Sequence, residues 1–250
     1  MIVDIISDLH GCKPALQGGD LLIVAGDLTK RDTVKQNEEF RQWIKEQKYT
    51  KKIVIAGNHD NLAEKGFYDS KESNDLYDFE YLCDSGTEFR YWPPLNPGIE
   101  DGTILEVKDY KIWGIPWTKR FIGMNPHCMA FTYYDENWFY DEKVAQIPVD
   151  VDILITHSPP YGILDEVKLE GQFKLSEPPL QMYEHVGSKS LYNWLKYVGR
   201  PRLHVFGHIH EAYGQKEVFS TYNDKMMISV NASIMNEHYE PVNKPVRVIL

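Results

Sequence analysis

Cysteine is scarce in this chain of 250 residues: there are three, Cys12, Cys83 and Cys128. The odd count, the wide spacing and the lack of any Cys-x-x-Cys exclude a disulfide framework and a zinc ribbon, and predict a reducing, cytoplasmic setting. Long apolar runs are missing too. The longest, such as Leu21 to Ala25, have strand length and fall far short of the roughly 18 residues that span a bilayer, so no membrane partner is expected. Met1 to Asp8 lacks a basic start and an unbroken apolar stretch, so export through a signal peptide is not expected. Basic charge is in deficit. Against 37 Asp and Glu stand 27 Lys and Arg, a net charge of −10 with pI near 5.4, the wrong sign for a chain that grips long nucleic acid through its phosphates. Repeats, low-complexity tracts and Ser/Gly linkers are absent, which predicts one domain over residues 1–250.

What is present is ordinary globular material, 42% apolar and 26% charged, enough for a real core. Short apolar or β-branched runs recur: Ile2 to Ile6, Leu21 to Ala25, Lys52 to Ala56, Lys111 to Ile115, Val151 to Thr156, Leu203 to Phe206 and Met226 to Val230. They read as buried strands. Helical spacing separates some of them. In Thr33 to Lys48, Phe40, Trp43, Ile44 and Gln47 share a face behind a cap at Asp32 or Thr33; in Ser188 to Val198, Leu191, Trp194, Leu195 and Val198 do so behind Ser188. The alternation predicts an α/β fold, with an antiparallel portion after residue 203 and the sheets packed as a mixed sandwich. Asn61 to Asp75, Trp92 to Gly98 and Lys168 to His185 read as loops.

Five polar clusters terminate five predicted strands: Asp8-Leu9-His10, Gly26-Asp27, Gly57-Asn58-His59-Asp60, His157, and Gly207-His208-Ile209-His210. In an extended chain residues i and i+2 face one way, so Asp8 with His10, and His208 with His210, are expected to present paired ligands. Carboxylate, amide and imidazole without thiolate suit intermediate divalent cations such as Mn, Fe, Zn, Co or Ni. Seven or more ligands imply two cations. Two such ions about 3.5–4 Å apart can ionise a shared water and neutralise phosphoryl oxygens, and a carboxylate such as Asp27 can bridge them. Gly26 and Gly207, just before ligands, mark places where backbone turns tightly or approaches closely. Each cluster alone is a common accident. Together they hold five of the nine histidines, leaving His127, His185, His204 and His238 outside.

In their order and spacing, Asp8-x-His10, Gly26-Asp27, Gly57-Asn58-His59-Asp60, His157 and Gly207-His208-x-His210 resemble the signature of calcineurin-like metallophosphoesterases. The segments Trp113-Gly114-Ile115-Pro116-Trp117, Ile155 to Pro160, Leu203 to Gly214 and Asn231-Ala232-Ser233 look like its small metallophosphoesterase-domain-containing subgroup. The resemblance implies a four-layer αββα sandwich with two mixed sheets. It places Asp8, His10, Asp27 and His210 on one metal, and Asp27, Asn58, His157 and His208 on the other, with manganese first among the possible ions and magnesium among the alternatives. A bridging hydroxide would attack phosphorus while His59 protonates the leaving alkoxide or binds the phosphoryl oxygen. Asn58, His59 and Asn231 are the implied substrate contacts.

The protein phosphatases of that superfamily carry an Asp that aligns the catalytic His where this chain has Lys30, so Asp60 and Asp32 become candidates for that duty. The implied activity is phosphodiester hydrolysis on small nucleotide-type substrates, cyclic nucleotides in particular. A phosphomonoesterase, a nuclease, or a metal- and nucleotide-binding scaffold are the alternatives. Nothing in the sequence sets an oligomeric state. Nine aromatics between Trp113 and Tyr140 are expected to be mostly buried, with one or two able to stack on a base. Lys119 and Arg120 read as a solvated pair that could meet a phosphate, and Cys12 as a small loop residue.

Overall fold

The structure is a computed structural model, and it describes residues 1–69, 78–93, 107–120, 124–134, 138–169, 182–220 and 225–250. In order of neighbours, one sheet runs through Val246–Ile249, Ile2–Ile6, Gly19–Ala25, Tyr49–Ile55 and Glu80–Tyr81, and a second through Gly214–Ser220, Lys225–Asn231, Leu203–Phe206, Ile153–Thr156, Lys108–Ile115 and Ser85–Tyr91. The first is built from β1 (Ile2–Ile6), β2 (Gly19–Ala25), β3 (Tyr49–Ile55), β4 (Glu80–Tyr81) and β15 (Val246–Ile249). The second uses β5 (Ser85–Tyr91), β6 (Lys108–Ile115), β9 (Ile153–Thr156), β12 (Leu203–Phe206), β13 (Gly214–Ser220) and β14 (Lys225–Asn231). Both are mixed. β1 to β4 are parallel and β15 antiparallel; β6, β9, β12 and β14 are parallel, with β5 and β13 antiparallel at the edges. Two small pairs, β7 (Thr118–Lys119) with β8 (Thr132–Tyr133) and β10 (Glu166–Leu169) with β11 (Met182–His185), complete the strands.

Strand periodicity fixes the layers. Val3 and Ile5, Leu21 and Ile23, Ile53 and Ile55 turn one way and meet Ile153, Ile155, Leu203 and Val205 of the other sheet, forming the middle core. The residues between them face out. Leu22, Val24 and Val54 pack under α1 (Val34–Lys45) through Phe40 and Ile44. Leu154 packs under α3 (Trp138–Ala145) and α4 (Lys189–Tyr197) through Tyr140, Val144, Leu191 and Trp194. The result is the expected αββα sandwich. Each fully buried Leu or Ile contributes about 1.5–3 kcal/mol, so the pattern of alternate apolar residues sets the register strongly.

The caps behave as read. Thr33 accepts from the Gln36 N–H and Ser188 from the Leu191 N–H. Val198, assigned to the apolar face, is instead the residue that ends α4 and is exposed, because its backbone leaves the helical region at φ −120°. The stretch Lys168 to His185 is not all loop: its two ends pair as the β10–β11 hairpin, and residues 170–181 lie outside the described residues. Asn61–Glu64 forms a one-turn helix, α2. Residues 70–75 and 94–98 of the other expected loops, and Phe121 of the aromatic group, also lie outside the described residues.

Candidate metal centre

Every cluster picked out from the sequence follows the carboxyl end of a parallel strand: Asp8 and His10 after β1, Asp27 after β2, Asn58 and His59 after β3, His157 after β9, His208 and His210 after β12. Those ends converge where the two sheets meet. There the Ser7 N–H donates to Ala232 O at 2.9 Å and the Gly207 N–H to His157 O at 3.1 Å. Ligand sites in open parallel sheets form at such carboxyl ends, where chain leaves the ladder with side chains pointing outward.

The pairing of Asp8 with His10 and of His208 with His210 does not arise from extended backbone, as the sequence reading assumed. Both strands have ended before these residues, and Asp8 (φ 51°), His10 (φ 42°), Asp27 (φ 54°) and His208 (φ 68°) all take left-handed backbone. Such conformations cost about 1 kcal/mol or more each and persist where the surroundings over-determine them. Here hydrogen bonds do that: Asp8 N–H to Gly26 O at 3.0 Å, His10 N–H to Asp27 O at 3.0 Å, and His208 N–H to the Asp8 carboxylate at 2.9 Å. The glycines leave room. A Cβ on Gly207 would sit 2.0 Å from Asp8 Oδ2, and one on Gly57 2.3 Å from Asp27 Oδ1.

The donor atoms crowd one volume. Asp8, His10 and His210 place ligand atoms within 4.8 Å of one another, as do His10, Asp27 and His59, and Asp8, Asp27 and His157. His210 Nε2 lies 3.3 Å from Asp8 Oδ1 and 3.4 Å from His10 Nε2. His157 Nε2 lies 3.4 Å from Asp27 Oδ1 and 3.1 Å from Asn58 Oδ1, and its ring is 5.2 Å from that of His208. On their far sides, His157 Nδ1 donates to Ala25 O at 2.8 Å and His210 Nδ1 to Asn236 O at 3.0 Å. Those bonds fix each ring with its Nε2 aimed inward, the orientation that a metal ligand requires. Likewise the Asn58 amide nitrogen donates to Cys128 O at 3.3 Å, so its oxygen is the inward atom.

Protonation follows the same geometry. Burial raises the Asp8 carboxyl, but the His210 hydrogen bond and the nearby imidazole charges outweigh it and bring it to about 2. Burial raises Asp27 too, and the charges of His157 and His59 carry it well below the usual carboxylate range. Burial depresses His157, yet Asp27 beside it lifts it to about 9; burial dominates for His10, near 4, and His208, near 3. Two ionised carboxylates are thus buried beside the neutral His10 and His208, the Asn58 amide oxygen, and a His157 that keeps a proton which a bound cation would displace. That donor set fits hard-to-intermediate divalent cations and contains no thiolate.

The centre opens into a cavity of about 1100 Å³. Lys119 and Arg120 line it, as do Tyr161, His185, Lys189 and Tyr239. His185 was set aside by the sequence reading, but its Nδ1 lies 2.7 Å from Oδ1 of the buried Asp165. Tyr239, also missed, sits in a left-handed turn with its ring 4.9 Å from those of His10 and His210. Neither carried a periodic or spacing signal. The aromatic group fails as a base platform: Phe131, Tyr133 and Tyr140 are core, Tyr134 and Trp138 are exposed, and none of the group lines the cavity among the described residues. Asn231 is not a cavity residue either. Its amide nitrogen donates to Ile209 O at 2.8 Å and its oxygen accepts from the Ser233 N–H, tying loops together.

The profile of the calcineurin-like phosphoesterases matches residues 1–212. The chain belongs to that family. This phosphoesterase is 34% identical over 252 residues to metallophosphoesterase domain-containing protein 1 of Homo sapiens and of Mus musculus, covering 98% of this chain and 69% of each relative. It is 33% identical over 217 residues to a probable rhamnogalacturonate lyase C of Emericella nidulans, covering 85% of this chain and 17% of that one. A solved crystal structure superposes with a TM-score of 0.50 at 15% identity, over 92% of this chain and 89% of the other, a likeness of fold alone. The protein is a metal-dependent phosphoesterase hydrolase with candidate metal-binding residues at the convergence of its strand ends. Among the described residues no helix is long and apolar enough to cross a membrane.

Proposed function

We propose that this phosphoesterase is a phosphodiesterase acting on small nucleotide-type diesters, cyclic nucleotides in particular, with two divalent cations, manganese first among them. The supporting observation is the two-sided exposure of Asp27. Its Oδ1 faces His157 at 3.4 Å, while its Oδ2 faces His10 at 3.7 Å and His59 Nε2 at 3.9 Å. One carboxylate between two donor groups is the arrangement that a bridged pair of cations needs. Asp8, His10, Asp27 and His210 would hold one, and Asp27, Asn58, His157 and His208 the other. Bound there, the cations supply Lewis acidity toward the phosphoryl oxygens and ionise a water near neutral pH.

The chain's own residues do the rest. Ala25 and Asn236 carbonyls hold the imidazole tautomers, and Cys128 O turns the Asn58 amide. His59, in contact with Asp27 but on the cavity side, holds a proton at Nε2 for the departing alkoxide, a role worth about 10²–10⁴ in rate. Lys119, Arg120 and Lys189 line the wall against which an anionic substrate would rest. Bis-p-nitrophenyl phosphate should be hydrolysed in preference to p-nitrophenyl phosphate by metal-stripped protein resupplied with Mn²⁺. His59→Ala should keep its metals and lose turnover chiefly on a diester with a poor leaving group, such as diphenyl phosphate; Asp27→Ala should lose the metals. Monoester preference would move the enzyme to the phosphomonoesterases, and equal metal loss in the two variants would refute the division of roles.

A further inference from the structure

A proton donor must point its ring the right way, and neither carboxylate nominated for aligning His59 does so. Asp60 accepts the backbone N–H groups of Asp27 (2.9 Å), Leu28 (3.0 Å) and Gly57 (2.8 Å). Asp32 accepts from the Asn37 amide and the Leu62 N–H. Both are committed to pinning loops. What meets His59 Nδ1 is a sulfur: Cys128 Sγ lies 3.3 Å away, within hydrogen-bond reach for that atom.

Cys128 is itself held. Its N–H donates to Asn125 O at 2.9 Å and its carbonyl accepts from the Asn58 amide at 3.3 Å. On either side, His127 O accepts from the Asn61 amide at 2.9 Å and the Ala130 N–H donates to Asn58 O at 3.2 Å. Residues 127–130 are thus bonded to residues 58–61 at three points, and the sulfur is carried on that joint. Its own side chain is buried, and burial pushes the thiol up to about 11, so it stays S–H at neutral pH.

We propose that Cys128 is a positioning residue for His59, its sulfur holding the imidazole so that Nε2 faces Asp27 and the substrate cavity. The proposal rests on His59 being the proton donor. A thiol suits both protonation states of the ring: its S–H donates to a bare Nδ1, and its lone pair accepts from Nδ1–H. As the P–O bond breaks, its electron pair passes to the leaving oxygen, which takes the Nε2 proton; the proton on Nδ1 remains against Sγ. A neutral partner also avoids placing another buried negative charge beside Asp27.

The test compares two diesters. Bis-p-nitrophenyl phosphate releases a good leaving group that needs little help, whereas diphenyl phosphate releases a poorer one that needs the proton. Cys128→Ala should lower kcat on diphenyl phosphate about tenfold and on the nitrophenyl ester less than about twofold, with KM and metal content unchanged. Cys128→Ser, which keeps a donor and acceptor, should restore most of the loss. In a His59→Ala background, Cys128→Ala should have no further effect. Equal losses on both esters, or a full additional loss without His59, would overturn the positioning role. Were wild-type protein to hydrolyse neither ester, the phosphodiesterase reading would fall separately. The ¹⁵N shifts of the His59 ring would then decide for Cys128: they change in Cys128→Ala if the sulfur holds Nδ1 and stay fixed if it does not.

Discussion

His204 sits in the middle of β12, on the outer face of the second sheet, and is completely buried. The Thr156 hydroxyl donates to Ser158 O at 2.6 Å, so at the 3.0 Å contact with His204 Nε2 it can only accept, which puts the ring proton on Nε2. Nδ1 has no partner among the described residues. Protonating it would create a buried cation with an unmet N–H, and burial accordingly depresses the group from 6.5 to about 3. The unfolded chain binds that proton below pH 6.5, while the folded chain refuses it until about pH 3, so the fold loses stability as pH falls through that window. At 1.36 kcal/mol per unit, going from pH 7 to pH 5 removes about 2 kcal/mol on account of this one residue. His204→Leu removes the titration and leaves Thr156 its bond to Ser158. Urea unfolding of both proteins in EDTA at the two pH values isolates the effect, since every other group is common to both. The variant should lose about 2 kcal/mol less than wild type on acidification. Identical losses would refute the reasoning, whatever the variant's stability at pH 7.

Asp60→Ala should cost about 3 kcal/mol by stranding three buried N–H groups, and should lower metal content although Asp60 is not among the proposed ligands. Urea unfolding and elemental analysis check both; wild-type metal content would sink the view that Asp60 holds the loops bearing Asp27 and Asn58. Gly207→Ala should abolish metal binding because the added carbon meets Asp8 Oδ2 at 2.0 Å and Ser7 Oγ at 2.1 Å. Gly162→Ala is the control. It sits at φ +78° with nothing within 4 Å of the added carbon, so it should cost only the left-handed strain, about 1–2 kcal/mol, with metals retained.

The sandwich was legible because its central strands are buried on both faces, so β1, β2, β9 and β12 stand out as short, nearly unbroken apolar or β-branched runs. The order of the metal-ligand candidates was legible because polar residues interrupt each buried run at its carboxyl end. What followed the strands was not. The left-handed turns at Asp8, His10, Asp27 and His208 carry no glycine at those positions, since hydrogen bonding rather than residue type enforces them. Cys128, His185 and Tyr239 reach the site from irregular connections, where neighbours in space have no fixed spacing in sequence. Of the aromatic group, the expected burial holds for Phe131, Tyr133 and Tyr140, the last two stacking at 4.4 Å to fill the layer under α3, a packing duty that composition alone does not separate from ligand binding.

The donors come from both sheets, and 200 positions separate Asp8 from the His208 whose N–H it accepts. Chains grow from the amino end, at roughly 5–20 residues each second, and β1, β2 and β3 emerge well before β12. A nascent chain therefore carries four proposed ligands of the first sheet, Asp8, His10, Asp27 and Asn58, before the strands that bear the others have been made. The full set of proposed ligands therefore exists only once synthesis has passed residue 210 and both sheets have contributed their strand ends.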